Sequence, residues 1–276
     1  AYHAAPLPLA ETVLARRLLA RAGIELPEGA LTLAAPATLH DVGEARDRSL
    51  RGTVAAVAFA RGVLNMVLPL GAGSAGRLAL VDIREAVAGH GISKAGEPRD
   101  SVDLSRAKVV AISALVDSTR TVEAEGALMR AVQMSGALSR TLGETLTWVN
   151  DRVQFGKPIA RFQAVQHLVA ELAAESAAAS AATDMAVEAS ITAPDRFAIA
   201  VAKSRAGEAA GRACAIAHQL FGAMGFTKEH ELHYATRRLL AWRDEFGSEV
   251  AWQRELGEMV ASAGADTLWP MLTARG

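Results

Sequence analysis

Residues 148–173 read WVNDRVQFGKPIARFQAVQHLVAELA, and this stretch decides the fold. Before it and across its first residues, apolar side chains recur at spacings of four, four, three and four, which predicts one long amphipathic helix. Phe155 and Gly156 then form a turn that Pro158 holds, and a second helix is predicted from about Phe162 past Met185. The apolar positions of the first helix are Leu138, Leu142, Leu146, Val149 and Val153.

The sequence after this stretch stays helical. A third helix follows Pro194 and ends near Phe221, and a fourth begins near Glu249. Residues 119–276 are therefore predicted to form an antiparallel four-helix bundle. Because the alanine-dense residues 171–186 suit close helix packing, we expect this bundle to form an oligomer interface.

The sequence before residue 119 has a different pattern. Residues 1–30 carry one predicted helix, stopped by Gly23, with apolar positions at helical spacing. Residues 31–118 contain short β-type runs separated by Gly, Pro and Asp, which indicates a small β domain. Because no helix signal follows the glycine-rich segment 71–76, it is predicted to be a hairpin turn and not a phosphate loop. The fold class is mainly α with a small β domain; the N-terminal helix carries Leu9, Val13, Leu14, Leu18 and Leu19.

The composition disfavours several classes of function. The 276 residues are 51% hydrophobic and carry 29 Lys+Arg against 30 Asp+Glu, so no basic excess is available for nucleic acid. No stretch is long and apolar enough to cross a bilayer, and the first residues lack the order of a signal peptide. A protein that binds neither nucleic acid nor membrane is expected.

Few residues offer metal or redox chemistry. The only cysteine, Cys214, excludes an internal disulfide, is expected to be a buried thiol and fits a cytoplasmic location. His167 and His218 are far apart and have no cysteine or carboxylate at ligand spacing. Structural roles and no metal site are therefore predicted.

A second motif, QLFGAMGFT at residues 219–227, follows the first in order. The first resembles the acyl-CoA dehydrogenase signature R-x-Q-F-G-x-P-I followed by F-Q-x-x-Q-H, and the second is similar to that family's Q-x-x-G-G-x-G-[YF]-T element. The resemblance covers residues 120–260 well and the β region loosely, while most of the family's N-terminal helical domain has no counterpart. It implies a truncated acyl-CoA dehydrogenase fold.

The resemblance also implies an FAD site. In the family, the first motif contacts an FAD held mainly by a neighbouring subunit, which here assigns Arg152 and Phe155. The second motif reaches the adenosine and pyrophosphate of that FAD. Taken from the residues alone, a helix-end arginine and a ring suit phosphate and an aromatic system, but a solvated cation and a core phenylalanine are favoured; the resemblance reverses this preference. The positions carried over from the second motif are Gln219, Gly222, Ala223 (a glycine in the family) and Gly225.

The family's catalytic carboxylate has no counterpart at either expected position. In most members it precedes a glycine about ten residues after a Y-R-D segment, and the position here is Phe246. In a minority it lies on the long helix, here near Gly126. Glu245 and Glu125 each lie one residue away, a rotation of about 100° on a helix, and both are predicted to be solvated. The flavin-facing T-E-x-x-x-G-S-D stretch is also missing.

These features resemble the non-catalytic subunits of heteromeric acyl-CoA dehydrogenases of actinobacterial steroid catabolism. The resemblance implies two catalytic and two degenerate chains that oxidise the CoA thioester of a sterol side chain, with this chain completing the partner's FAD site. Two alternatives stay open. One is a self-sufficient acyl-CoA dehydrogenase with Glu245 or Glu125 as its base, and the other is a non-enzymatic helical-bundle binding protein.

Overall fold

A computed structural model describes residues 7–44, 49–71 and 73–273. The chain divides into two compact units between Met129 and Arg130, inside its longest helix. The domain boundaries expected after residues 30 and 118 stay a prediction.

The first unit contains helix α1 (Leu9–Arg21) and two four-stranded sheets. The strands described are, in chain order, β1 (Leu31–Leu33), β2 (Leu39–Glu44), β3 (Leu50–Ala58), β4 (Asn65–Leu70), β5 (Arg77–Asp82), β6 (Val87–Gly89), β7 (Arg99–Asp103) and β8 (Lys108–Ala114). One sheet has the order β1-β4-β5-β8, with β1 parallel to β4 and the other pairs antiparallel. The other has the order β2-β3-β7-β6 and is antiparallel throughout.

Both sheets contribute to one apolar core. Alternate residues of a strand point to opposite faces, so β-branched and leucine side chains at every second position share this core. The glycine-rich segment after β4 leads directly into the antiparallel strand β5, which confirms the predicted hairpin turn. Helix α1 buries Leu14, Leu18 and Leu19 but leaves Leu9 and Val13 exposed. The core includes Leu50, Val54, Met66, Leu68, Val81 and Val102.

The second unit is helical. Helix α2 (Ser118–Asp151) enters it from the first unit and leads to a short hairpin, β9 (Val153–Gln154) and β10 (Lys157–Pro158). The helices that follow are α3 (Gln163–Ala189), α4 (Arg196–Phe221), α5 (Leu232–Trp242), α6 (Glu249–Ala263) and α7 (Leu268–Thr273). No helix of the described ranges is long and apolar enough to span a membrane.

Helix α4 is the centre of this bundle, and α3, α5 and α6 all pack on it. The face of α3 that meets α4 carries small residues, which allow the two backbones to approach closely. Its buried members are Leu172, Ser176, Ala179, Thr183 and Ala186. A mainly α protein with a small β domain and a C-terminal helical bundle is confirmed.

Two details of the helical prediction are wrong. Helix α2 ends at Asp151, so Val153 belongs to β9 and is exposed, as is Leu146. Thr141 and Thr145 are buried in their place because each hydroxyl donates to the carbonyl four residues earlier, which satisfies it inside the core. Helix α5 was also missed, since its apolar face is short and interrupted by arginines.

Candidate functional site

Phe155 lies at the tip of the β9–β10 hairpin and is 91% exposed. Phe155 and Gly156 form the two-residue loop, and both have positive φ, at 51° and 77°. Such a loop matches the twist of the strands, but it is unfavourable for a residue that has a Cβ, by roughly 1 kcal/mol. The chain thus holds a large apolar ring away from its own core, and the alternative that Phe155 is a core residue is wrong.

Trp148 connects the two sequence motifs. Its ring stacks on Phe221 with centroids 4.8 Å apart, and its Nε1 donates to the Leu220 carbonyl at 3.1 Å. The guanidinium carbon of Arg152 lies 5.9 Å from the centroid of the Trp148 ring. Trp148 therefore contacts both the exposed Arg152, which follows the end of α2, and the end of α4.

The second motif spans the last turn of α4 and a short 3-10 helix, Gly222–Phe226. Gln219 and Ala223 are exposed, and Gly222 has a φ of 59° with open space where a Cβ would stand. Gly225 is different, because it is buried and a Cβ there would lie 2.9 Å from the Cβ of Phe221. The requirement for glycine at this position therefore comes from internal packing.

Phe246 lies in the turn between α5 and α6, with a φ of 55° and a half-buried side chain. Its carbonyl accepts a hydrogen bond from Trp252 Nε1 at 2.9 Å. The neighbouring Glu245 pairs with the buried Arg130 of α2 at 2.6 Å, and the Arg130 guanidinium lies 5.9 Å from the Phe246 ring centroid. Glu245 is thus committed to an ion pair, and the prediction that it is a solvated acid is wrong.

Glu125 is also not solvated, since only 3% of it is exposed. Its carboxylate pairs with Arg17 at 2.9 Å and with Arg21 at 2.7 Å, both on α1. The prediction failed because an apolar pattern does not reveal a carboxylate that faces two arginines one turn apart on another helix. Glu125 connects α1 to the start of α2.

The sequence analysis missed Lys203, which is fully buried on α4. Its ammonium donates to the carbonyls of Arg243 at 2.7 Å, Gly247 at 2.8 Å and Trp242 at 3.4 Å. It therefore fixes both ends of the turn that carries Phe246. Burial lowers the pKa of Lys203 from 10.5 to about 7. The sequence signal for this buried lysine was its position within the apolar stripe of α4.

The lowered pKa of Lys203 predicts how stability changes with pH. Below about pH 7 the native and unfolded chains both carry this proton. Between about 7 and 10.5 only the unfolded chain keeps it, so the free energy of unfolding should rise with pH, by on the order of 5 kcal/mol from this group over the full range. Urea denaturation across this range measures the rise. The variant Lys203→Met should not show this rise. An equal rise in that variant would contradict the assignment of the pH dependence to Lys203.

Cys214, His167 and His218 lie in three different environments, and the structural roles predicted for the two histidines stay a prediction. Cys214 is buried as predicted, and burial raises the pKa of its thiol to about 12. His167 is exposed on α3, whereas the Nε2 of His218 lies 3.1 Å from the Thr236 hydroxyl. No cluster of residues able to hold a metal is found in the ranges that the structure describes.

Comparisons with known proteins identify the family of the chain. Residues 94–259 match the model of the acyl-CoA dehydrogenase C-terminal domain. The chain belongs to the acyl-CoA dehydrogenase family, which is generally FAD-dependent. The acyl-CoA dehydrogenase IpdE2 of Mycolicibacterium smegmatis is 33% identical over 146 residues, 51% of this chain and 45% of that protein. The chain thus spans less than half the length of this curated relative.

Solved structures show the same fold. The ChsE4-ChsE5 complex from Mycobacterium tuberculosis matches with a TM-score of 0.83 at 23% identity, over 95% of this chain and 78% of that one. The Tcur3481-Tcur3483 steroid acyl-CoA dehydrogenase, a G363A variant, also matches with a TM-score of 0.83 at 23% identity, over 94% and 77%.

Proposed function

We propose that this chain is a subunit of a heteromeric acyl-CoA dehydrogenase and completes the FAD site of a catalytic partner without supplying a base. The partner would remove a proton from the α-carbon of a CoA thioester, and the flavin would accept the hydride from the β-carbon. The observation that carries this proposal is Phe155, a 91% exposed ring held on a strained turn.

The residues around Phe155 fit FAD chemically. An exposed aromatic ring gains free energy only when another apolar surface covers it, and an isoalloxazine or adenine ring is such a surface. Arg152 is exposed and adds a guanidinium, the group best suited to bind a phosphate oxygen. Together with Gln219, Gly222 and Ala223, these residues face outward from the chain and offer partners to an aromatic, doubly phosphorylated cofactor.

The chain's own carboxylates argue against a self-sufficient enzyme. A general base must be free to accept the substrate proton, whereas Glu245 and Glu125 are each held by arginine. Phe246 has no group that accepts a proton. Catalysis by this chain alone is therefore disfavoured, and the base is assigned to the partner.

The matched proteins support the kind of partner and substrate that we propose. One matched structure is a complex of two differently named chains, and another is described as a steroid acyl-CoA dehydrogenase. We therefore assign a second acyl-CoA dehydrogenase chain as partner, in a two-plus-two assembly, and the CoA thioester of a sterol side chain as substrate. The exposed alanine face of α3, which includes Ala174, Ala178 and Ala181, offers a surface for close helix association. The cytoplasm, where acyl-CoA is available, is the expected location.

Copurification separates the three hypotheses. The chain is purified alone and together with a coexpressed catalytic acyl-CoA dehydrogenase chain from the same organism, and flavin absorbance and acyl-CoA-dependent reduction of an artificial acceptor are measured. Flavin and activity only in the pair support the proposal. Flavin and activity in the chain alone would indicate a self-sufficient enzyme. If neither sample contains flavin, the chain would be a non-enzymatic binding protein.

Arg152→Ala tests the cofactor contact. A charge-assisted phosphate contact contributes about 1.5–3 kcal/mol, so flavin retention in the complex should fall about 10- to 100-fold. The chain's free energy of unfolding should stay within about 0.5 kcal/mol, since Arg152 is exposed. Arg254→Ala, an exposed arginine on α6, is the control. Equal flavin occupancy in both variants would indicate that Arg152 is a solvated cation that does not contact FAD.

A further inference from the structure

The ring of His218 supports the segment Gly222–Phe226. It stacks on Phe226, with ring centroids 4.6 Å apart and planes at 29°. Gly225 packs against its edge, since a Cβ at Gly225 would lie 3.2 Å from His218 Nδ1. Phe226 is 75% exposed even with this contact, so the ring of His218 covers a large share of the small area that Phe226 buries.

The hydrogen bonds of Thr236 determine which nitrogen of His218 carries the proton. The Thr236 hydroxyl donates to the Leu232 carbonyl at 3.3 Å, so its oxygen is left to accept from His218 Nε2–H at 3.1 Å. The neutral ring then carries a lone pair on Nδ1. This atom is buried and has no hydrogen-bond partner among the described residues.

Protonation of His218 is therefore unfavourable while the segment is docked. An imidazolium would place an N–H on Nδ1, against Gly225, with no acceptor. Burial lowers the pKa of His218 below its ordinary 6.5. The other titratable groups around it already have partners: the Cys214 thiol contacts the Thr236 carbonyl, His230 Nδ1 accepts from the Leu232 amide, and His233 Nδ1 contacts the His230 carbonyl.

We propose that His218 is a positioning residue that docks the segment Gly222–Phe226 only in its neutral form, so that acid releases this segment from the bundle. Docking is complete above the histidine's ordinary pKa, and it weakens as the pH falls below it, because the released form binds the proton more tightly. The effect on flavin rests on the proposed function, since there the same segment contacts the partner's FAD.

Hydrogen exchange of the full chain, purified with its partner, tests the docking step directly. Amide protection of residues 219–227, corrected for intrinsic exchange rates, is compared at about pH 7.5 and about pH 5.5. It should fall about tenfold at the lower pH, which is the effect of one unpaired buried N–H. His218→Gln keeps a donor for Thr236 but cannot titrate, so its protection should not fall. His167→Gln, on the exposed face of α3, should behave like the wild type.

Equal protection at both pH values, or the same fall in His218→Gln, overturns the proposal. Should His218→Gln fail to fold, exchange of the ring C2 hydrogens in the wild type gives the pKa of each histidine. If the pKa measured for His218 is at or above the pKa measured for His167, the proposal is overturned. Flavin retention is measured in the same samples. Release of the segment with no change in flavin would count against the proposed function and not against the role of His218.

Discussion

Replacing Phe155 with asparagine should remove much of the flavin from the complex without destabilising the chain. Asn-Gly is a preferred sequence for a two-residue hairpin loop with positive φ at both positions, so the substitution Phe155→Asn relieves the strain at φ 51°. The lost ring is 91% exposed and contacts Phe162 edge-on at 6.1 Å. The free energy of unfolding should therefore stay equal or rise by up to ~1 kcal/mol.

Flavin retention should move in the opposite direction. Removing an aromatic anchor from a buried contact typically costs about 2 kcal/mol or more, so we expect retention to fall by roughly 30-fold or more. The flavin-to-protein absorbance ratio after dialysis measures this loss, and urea denaturation of the chain measures stability. Phe155→Tyr keeps the ring and should stay near the wild type. A destabilised chain with full flavin would assign Phe155 to internal packing and remove the main support for the proposed function.

Replacing Glu245 with alanine should destabilise the chain strongly and leave turnover per bound flavin nearly unchanged. The substitution leaves the buried guanidinium of Arg130 without the carboxylate that it contacts at 2.6 Å. Breaking a buried pair from one side costs about 3–5 kcal/mol. The flavin chemistry should continue because the proposed base belongs to the partner.

Denaturation and single-turnover flavin reduction separate these two effects. Glu245→Gln retains an acceptor for Arg130 and should recover part of the stability, while its turnover matches that of the alanine variant. Glu188→Ala, an exposed acid on α3, is the control for surface charge and should stay within about 0.5 kcal/mol. A loss of orders of magnitude in turnover, with flavin still bound, would identify Glu245 as a displaced base and this chain as an ordinary dehydrogenase.

Polar residues inside helices were the main source of error in the sequence-based reading. Thr141 and Thr145 lie in the core because their hydroxyls bond to their own helix, while the more apolar Leu146 is exposed. Glu125 and Lys203 are buried because distant parts of the chain supply two arginines and three carbonyls. Hydrophobic periodicity contains no information about such partners.

The helical bundle, the β sheets and the family were predictable from the sequence, because apolar periodicity and the two ordered motifs are local properties. The turn at Phe155 and Gly156 was equally local, since glycine permits positive φ and proline restricts its own backbone and that of the residue before it. The environment of each site residue, in contrast, became visible only in the folded chain. Folding exposes Phe155 fully, packs Gly225 inside, and pairs Glu245 and Glu125 with arginines. Burial and ion pairing depend on side chains far apart in sequence, and folding alone brings them within contact distance.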